Sequence, residues 1–300
     1  MKFLIPFFLL ISMSSLAQNE IFETLKQQYS FEFDKKNKLD SIDLSSKMSE
    51  VKNQGVRNTC SAFASTALAE FVIQKDLGKT YDLSEAYAYY NAKKTVLSNS
   101  FLKQSYEPVD GLCGYLAVTG FQNGCMEESE WIYDGSASWK ESNAKNCKTD
   151  NGVSSRECHT GVPPQGAKTL DINLKIVHIP LEEIDEFILS EKRPVVVNIW
   201  IYKNGMDTKT GALTIPESPI LMGGHVVLIT GYNKKTEMFS FKNSWSKDWG
   251  ENGYGTMSKK YLLEHFEANN LIAQIPNLTK DQQEYATKVS MGTSAYTIKN

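Results

Sequence analysis

The sequence has no marked excess of charge of either sign and, beyond its first residues, no long hydrophobic run. Its 300 residues contain 32 Lys and Arg against 35 Asp and Glu, which gives a formal net charge of −3. This balance argues against nucleic acid as a partner, because a polyanion is usually bound by a basic surface. No later segment is apolar enough to cross a bilayer core ~30 Å thick. We therefore expect neither nucleic acid binding nor a membrane span.

The one long apolar run lies at the N-terminus and predicts a signal peptide. Lys2 precedes the run 3–13, and Ser15 and Ala17 place small residues three and one positions before Gln18. This order is typical of secretory signal peptides. The alternative is a transmembrane anchor, for which the run is short. We predict cleavage after Ala17 and a secreted or periplasmic destination.

Cysteine is scarce and its count is odd. An exported chain with five cysteines keeps at least one thiol outside intramolecular disulfides. If Cys60 is that thiol, the other four allow up to two bridges in three possible pairings, which the sequence does not distinguish. These four are Cys113, Cys125, Cys147 and Cys158.

The first half of the chain has the pattern of helices. Apolar residues recur at helical spacing over 59–77, and Gly78 suits a left-handed end. Ser84 is placed to cap a second helix, and a third is predicted over 112–121. The segment 134–168 is rich in Gly, Ser, Asn, Lys and Pro, so we expect a long irregular connection that a disulfide pins.

The second half contains apolar runs typical of buried strands. A short amphipathic helix is predicted over 181–192. The predicted strands are 174–179, 194–200, 223–232, 238–242, 253–257 and 271–275. Helices followed by strands predict an α+β fold of two lobes with a cleft between them.

Cys60 is the candidate nucleophile. It starts the first predicted helix, after a polar loop that contains Gln54 and Gly55. The first turn of a helix has unpaired N–H groups and the positive end of the dipole, and both favour a thiolate. The alternative is that Cys60 is a small buried apolar residue, which fits the polar lead-in less well.

A thiol nucleophile needs a base, and His225 is the best placed of the four histidines. It follows two glycines and opens an apolar strand, so the backbone can come close to a substrate. A buried core histidine is the alternative interpretation. Asn243 could accept a hydrogen bond from the ring, and Trp245 could cover that bond. Taken alone, however, these two fit a turn asparagine and a packing tryptophan better.

The combination of these residues resembles the papain-like cysteine proteases (peptidase family C1). Gln54, Cys60 and His225 are followed by Lys-Asn-Ser-Trp at 242–245 and Trp-Gly-Glu-Asn-Gly-Tyr-Gly at 249–255. Each motif is moderately specific, whereas the ordered set is very specific. The resemblance implies a papain-like two-lobed α+β fold, with a helical left lobe, an antiparallel β-barrel-like right lobe and the active-site cleft between them.

The resemblance also implies a domain organisation. The peptidase domain would span 43–275, with the helical lobe at about 46–135 and the β-rich lobe at about 170–275. The remaining parts would be the signal peptide at 1–17, a short extension at 18–42 and a polar tail at 276–300.

The family's catalytic roles can be placed on matching residues. Cys60 would attack the peptide carbonyl, and His225 would act as acid and base, resting with it as a thiolate–imidazolium pair. Asn243 would orient the imidazole, and Trp245 would shield that contact. The Gln54 side chain and the Cys60 backbone N–H would form the oxyanion hole.

The resemblance further implies how a polypeptide substrate would bind. Gly111 would pair with the substrate chain, and Val226 would line a pocket for an apolar side chain. Gly224 and Trp245 complete the predicted substrate contacts. We expect no cofactor and no metal, and a monomer.

Several features depart from the family pattern. Arg57 stands where the family usually has a cysteine, and Ser61 replaces a tryptophan after the nucleophile. Insertions are expected near 134–168 and 203–221. The extension at 18–42 is too short for the usual inhibitory pro-domain. The pattern therefore looks more like a divergent bacterial-type branch than a lysosomal cathepsin. The pattern does not explain how activity is controlled, and the extension at 18–42 or the polar tail at 276–300 could cover the cleft.

Three functions fit the site. The first is an exported cysteine peptidase that forms an acyl-enzyme on Cys60. The second is a catalytically silent binding protein with the papain fold. The third is an aminopeptidase or a peptide-ligating acyl transferase that uses the same residues.

Overall fold

The computed structural model of the protein describes residues 33, 35, 39–98, 110–145, 147, 149–150, 153–154 and 156–276. The predicted signal peptide, most of the extension and nearly all of the tail lie outside these residues. The helices are α1 (Cys60–Leu77), α2 (Glu85–Ser98), α3 (Gly114–Ala117), α4 (Ala137–Lys145), α5 (Glu157–Thr160), α6 (Ile184–Glu191) and α7 (Lys259–Glu264). Short 3-10 turns lie at 45–47, 118–123, 181–183 and 203–205.

The strands belong to one large sheet and two small ones. They are β1 (Ser41–Asp43), β2 (Cys125–Met126), β3 (Thr149–Asp150), β4 (Val153–Ser154), β5 (Thr169–Leu170), β6 (Leu174–His178), β7 (Val195–Tyr202), β8 (Ala212–Leu213), β9 (Leu221–Asn233), β10 (Met238–Lys242), β11 (Tyr254–Ser258) and β12 (Phe266–Pro276).

Helix α1 is the central element of the helical lobe. Nearly all of its residues are buried, and it packs against α2, α3, β9 and β12. The small side chains of Ala62, Ala64 and Ala69 let these neighbours approach closely. Gly78 ends the helix at φ 64°, in the left-handed conformation, as predicted. The next helix, α2, is capped as predicted by Ser84, whose hydroxyl accepts the Tyr87 N–H at 3.0 Å.

The large sheet forms the second lobe. Its strands run in the order β6-β12-β7-β9-β10-β11-β8, and β1 pairs with β9. All of these pairs are antiparallel except β11 with β8. The long strand β9 lies between β7 and β10, and its register places His225 opposite Ile199 of β7. The α+β fold of two lobes is confirmed, and each predicted strand lies within or overlaps an observed one.

Two predictions of secondary structure need correction. The predicted helix over 112–121 is α-helical only at Gly114–Ala117, and it continues as a 3-10 turn. At Gly120 this turn passes so close to α2 that an added Cβ would lie 2.8 Å from the Ala88 carbonyl oxygen. Glycine at this position therefore allows the 3-10 turn to pack closely against α2.

The second correction concerns the connection at 134–168. The prediction of an irregular segment is wrong over Ala137–Lys145, which form α4, and over Glu157–Thr160, which form α5. The expected disulfide is confirmed and joins Cys147 to Cys158. Among the described helices, none is long and apolar enough to cross a membrane.

The described residues of the extension contact the β-rich lobe. Phe33 packs edge-on against Phe187 of α6, with ring centroids 5.4 Å apart. Lys35 forms an ion pair of 2.6 Å with Glu183, just before α6. Neither residue lines the cleft described next.

Candidate active site

An open cleft of about 670 Å³ is lined by residues from both lobes. One wall comes from the loop before α1 and from the segment that leads into α3. The other wall comes from β7, β9 and Trp245. The lining residues are Gln54, Gly55, Val56, Arg57, Asn58, Cys60, Gly111, Leu112, Cys113, Leu116, Asn198, Ile201, Met222, Gly223, Gly224, His225, Val226 and Trp245.

Cys60 is the first residue of α1 and is half-buried in this cleft. It lies outside the Cys147–Cys158 disulfide. The residue before it, Thr59, does not cap the helix with its side chain, because its hydroxyl lies 2.6 Å from the Tyr133 hydroxyl. The positive end of α1 is therefore left without a side-chain cap at the position of the thiol.

The Gln54 side chain is buried and held at both ends of its amide. Its Nε2 donates to the Arg57 carbonyl at 2.7 Å, and its Oε1 accepts from the Ser244 hydroxyl at 2.7 Å. The next residue, Gly55, has φ 64°, and an added Cβ there would lie 2.2 Å from the Gly135 carbonyl oxygen. Glycine is needed at this turn for both reasons.

His225 is held by two groups from the loop after β10. Its Nε2 lies 2.8 Å from Oδ1 of Asn243. The ring of Trp245 stacks on the imidazole, with centroids 4.4 Å apart and planes at 27°. Because Asn243 occupies Nε2, Nδ1 is the ring nitrogen left to exchange a proton with a group in the cleft. Asn243 itself is buried behind the histidine and does not line the cleft.

Burial lowers the pKa of His225 to about 4, while the hydrogen bond with Asn243 acts in the opposite direction. An imidazole removed from water loses hydration of its charged form. At neutral pH this ring is therefore uncharged unless a negative charge lies beside it. The candidate for that charge is the thiolate of Cys60.

A group of buried charges lies behind the site. Lys52 is 2.9 Å from Glu85 and 4.0 Å from Glu70, both of which are buried. Burial raises the pKa of Glu85, and Lys52 acts to lower it. Lys242, next to Asn243, donates to the Ser49 carbonyl at 2.8 Å, and burial lowers its pKa to about 8. Motif spacing in the sequence does not predict this group, because its members are far apart in the chain.

The predicted substrate contacts all line the cleft, namely Gly111, Gly224, Val226 and Trp245. However, the N–H of Gly111 donates to the Tyr89 hydroxyl at 2.8 Å. A substrate chain could thus pair with the Gly111 carbonyl, and with its N–H only if this bond breaks.

The floor of the cleft is formed by further residues that the sequence motifs do not predict. Leu112, Leu116 and Ile201 add apolar surface beside Val226. Asn198 lies among them and accepts the Gly114 N–H at 2.9 Å, which ties β7 to α3. Asn198 is the one polar residue in the apolar run of β7, and this was the signal in the sequence that could have identified it.

Comparisons with known proteins agree on one family. The family model described as papain family cysteine protease matches residues 36–269. An uncharacterised peptidase C1-like protein of Acanthamoeba polyphaga mimivirus is 27% identical over 74% of this chain and 68% of its own length. The oryzain gamma chain of Oryza sativa subsp. japonica is 29% identical over 70% of this chain and 52% of its own length. The chain thus spans only about half of the oryzain gamma chain.

Solved structures show the same fold. Xylellain, a cysteine protease from Xylella fastidiosa, gives a TM-score of 0.62 at 20% identity, covering 82% of this chain and 91% of that one. A digestive procathepsin L 3 of Tenebrio molitor larval midgut gives 0.56 at 19% identity, covering 87% and 79%. The family model matches well over half of this chain. The chain therefore belongs to the papain family of cysteine proteases.

Proposed function

We propose that the protein is an exported cysteine peptidase, with Cys60 as nucleophile and His225 as acid and base. This proposal is carried by one observation: the thiol at the start of α1 and an imidazole held 2.8 Å from Asn243 line the same cleft. The nucleophile, the base and an orienting group are the minimum that this chemistry needs.

The reaction would proceed in two halves. The Cys60 thiolate attacks the peptide carbonyl carbon, and the resulting oxyanion accepts hydrogen bonds from Gln54 Nε2 and the Cys60 N–H. His225 gives its proton to the leaving amine as the C–N bond breaks. A water then attacks the thioester and passes a proton to His225, which releases the carboxylic acid and restores the thiolate. One oxyanion donor is worth roughly 10²–10³-fold in kcat.

The apolar floor of the cleft supports a preference for substrates with an aliphatic or aromatic side chain there. Leu112, Leu116, Ile201 and Val226 can bury such a group, and each buried CH₂ contributes ≈ 0.8 kcal/mol. Gly111 and Gly224 allow the substrate backbone to approach on either side. The substrate class is therefore a polypeptide with an apolar residue upstream of the cut.

Export is supported by the N-terminal pattern at 1–17 and by the Cys147–Cys158 disulfide. Disulfides persist in oxidising compartments and are rare in the cytosol. N-terminal sequencing of the protein recovered outside the cytoplasm tests this part, and the expected first residue is Gln18. A mature protein that still begins with Met1 would contradict it.

The catalytic proposal is tested by labelling and hydrolysis. We expect an epoxide inhibitor of papain-like enzymes to alkylate Cys60, and Cys60→Ala to abolish both labelling and cleavage of an unfolded protein substrate. The matched control is Cys125→Ala. That thiol is buried outside the cleft, and burial raises its pKa to about 12, so its loss should change neither result.

The outcomes separate the competing functions. A folded wild-type protein that neither reacts nor cleaves would be a silent binding protein with this fold. Cleavage of free but not of N-terminally blocked peptides would indicate an aminopeptidase. Accumulation of longer, joined peptides would indicate ligation through the same acyl-enzyme.

A further inference from the structure

Arg57 is a buried arginine whose described hydrogen bonds go to main-chain carbonyls. The residue is 2% exposed. Its Nη1 donates to the Asp134 carbonyl at 3.1 Å and its Nη2 to the His159 carbonyl at 2.7 Å. Burying a cation against two neutral acceptors costs hydration free energy, which an apolar residue of similar size would not lose.

Aromatic rings surround the guanidinium. Its carbon lies 3.7 Å from the ring centroid of Trp139 on α4, 4.9 Å from that of Tyr133 and 5.9 Å from that of Tyr89. Stacking on an aromatic face and a fork of donors are what distinguish arginine from lysine. The side chain is thus fixed in orientation as well as in position.

The main chain of the same residue holds the proposed oxyanion donor. The Arg57 carbonyl accepts one hydrogen bond from Gln54 Nε2 at 2.7 Å, while Ser244 fixes the other end of the amide. A primary amide nitrogen carries two hydrogens. One of these hydrogens bonds to the Arg57 carbonyl. The position of the Arg57 peptide therefore determines the direction of the second hydrogen, which lies on the cleft side.

Helix α4 contacts the same loop at further points. Lys140 donates to the Val56 carbonyl at 3.3 Å and lies 3.5 Å from the Asp110 carboxylate. That carboxylate accepts the Asn58 N–H at 3.1 Å. The loop before Cys60 is therefore held by α4 at Val56 and Arg57 and through Asp110 at Asn58.

Helices α4 (Ala137–Lys145) and α5 (Glu157–Thr160) form one unit, which we call the α4–α5 platform. Asn143 of α4 donates to the Glu157 and Cys158 carbonyls at 2.8 and 2.6 Å. The disulfide joins Cys147, just after α4, to Cys158 in α5. This unit supplies both Trp139 and the His159 carbonyl, so it can hold the guanidinium rigidly.

We propose that Arg57, clamped by the α4–α5 platform, is the positioning residue for the oxyanion donor Gln54. It would act by fixing the carbonyl that directs the Gln54 amide, without touching the substrate itself. The inference rests on the proposed function, since it assigns Gln54 to the oxyanion hole. A shift of about 1 Å in such a donor can lower the rate on the order of 100-fold.

The test compares Arg57→Lys with wild type in three assays. We expect kcat for a peptide amide to fall about 10- to 100-fold, with KM changed less than about threefold, because the lost interaction forms with the oxyanion. Binding of a peptide aldehyde, whose adduct with Cys60 carries the same oxyanion, should weaken by a similar factor. Alkylation of Cys60 by iodoacetamide forms no oxyanion and should keep its rate and pH profile.

A double-mutant cycle separates positioning from a general structural effect. In a Gln54→Ala background the donor is already gone, so Arg57→Lys should lower kcat no further. If Arg57→Lys does not fold, Trp139→Leu offers a second route, because it removes the stacking ring from a half-buried site. It should show the same pattern with a smaller loss.

The matched control is Arg156→Lys. Arg156 also stacks on an aromatic ring, 4.3 Å from the Tyr90 centroid, but its described contacts do not reach the loop before Cys60. We expect its kcat to stay within twofold of wild type. The inference is overturned if Arg57→Lys keeps kcat, if its loss adds in full to that of Gln54→Ala, or if iodoacetamide alkylation falls equally. An inactive wild type would instead overturn the proposed function, and this inference with it.

Discussion

At the scale of single residues, the proposed catalytic pair makes the charge of His225 depend on Cys60. The imidazole is buried, and burial lowers its pKa to about 4, so its charged form needs a partner. Asn243 is neutral and offers only a hydrogen bond. A thiolate at Cys60 would supply the missing charge, and the proton would then belong to the pair rather than to either residue.

This coupling predicts a difference between wild type and Cys60→Ala. In the variant, His225 should titrate near 4, whereas in wild type the imidazolium should persist to a higher pH because the thiolate stabilises it. Histidine-selective NMR of both proteins measures this directly. His265, which contacts Tyr202 outside the cleft, should give the same signal in both. Identical His225 titration in the two proteins would show that no ion pair forms.

The sequence predicted site residues that lie in motifs of specific spacing, and it did not predict residues that are defined only by tertiary contact. Gln54, Cys60, His225 and Asn243 fall in runs whose order is specific, and all but Asn243 line the cleft. Arg57 appeared only as a departure from the family pattern. Its carbonyl acceptors are 77 and 102 residues away, a distance over which local pattern carries no information.

At the scale of elements, strong apolar periodicity was enough to predict helices and strands, whereas polar composition wrongly predicted an irregular segment where α4 lies. The stripe over 59–77 and the apolar runs of the second half correspond to α1 and to the large sheet. By contrast, α4 is polar, and most of its side chains are exposed. It is held by contacts with the rest of the fold, such as Trp139 on Arg57, which the sequence of the segment does not reveal.

The disulfide of the α4–α5 platform should contribute to stability. It joins residues 11 apart, and closing a loop of this size stabilises a fold by about 3 kcal/mol in the chain-entropy model. We expect Cys147→Ser/Cys158→Ser to lower the free energy of unfolding by roughly that amount, measured by urea denaturation. Wild type treated with a reductant should match the variant. A change below about 0.5 kcal/mol would mean that the segment unfolds separately from the rest.

At the scale of the whole molecule, the fold is shared with proteins that differ in most residues. Xylellain has a TM-score of 0.62 at only 20% identity. A fold can persist at this distance because its core needs apolar volume more than particular side chains. Under the proposed mechanism, the loop before Cys60 must in addition place individual N–H groups, which apolar volume alone does not do. It is there that Arg57 replaces the residue usual in the family.

The buried imidazole should also make the stability of the molecule depend on pH. With no thiolate beside it, the pKa of His225 is lowered by burial to about 4 in the folded protein, against 6.5 for a free histidine. As pH falls below 6.5, the unfolded chain binds the proton first. The contribution of this group to the free energy of unfolding is therefore fully present above pH 6.5 and is lost as pH falls to about 4. The difference corresponds to about 3 kcal/mol at ≈ 1.36 kcal/mol per pH unit.

This loss should be clearest in Cys60→Ala, where no thiolate can compensate the buried charge. Carboxyl groups titrate over the same range, so the useful quantity is a difference between variants. We expect urea denaturation between pH 7 and pH 4 to show a steeper loss for Cys60→Ala than for Cys60→Ala/His225→Gln, which has no imidazole at this site. Equal slopes in the two variants would contradict a depressed pKa. A wild-type slope shallower than that of Cys60→Ala would show that the thiolate offsets part of the cost of burying the imidazolium, which is what the proposed catalytic pair requires.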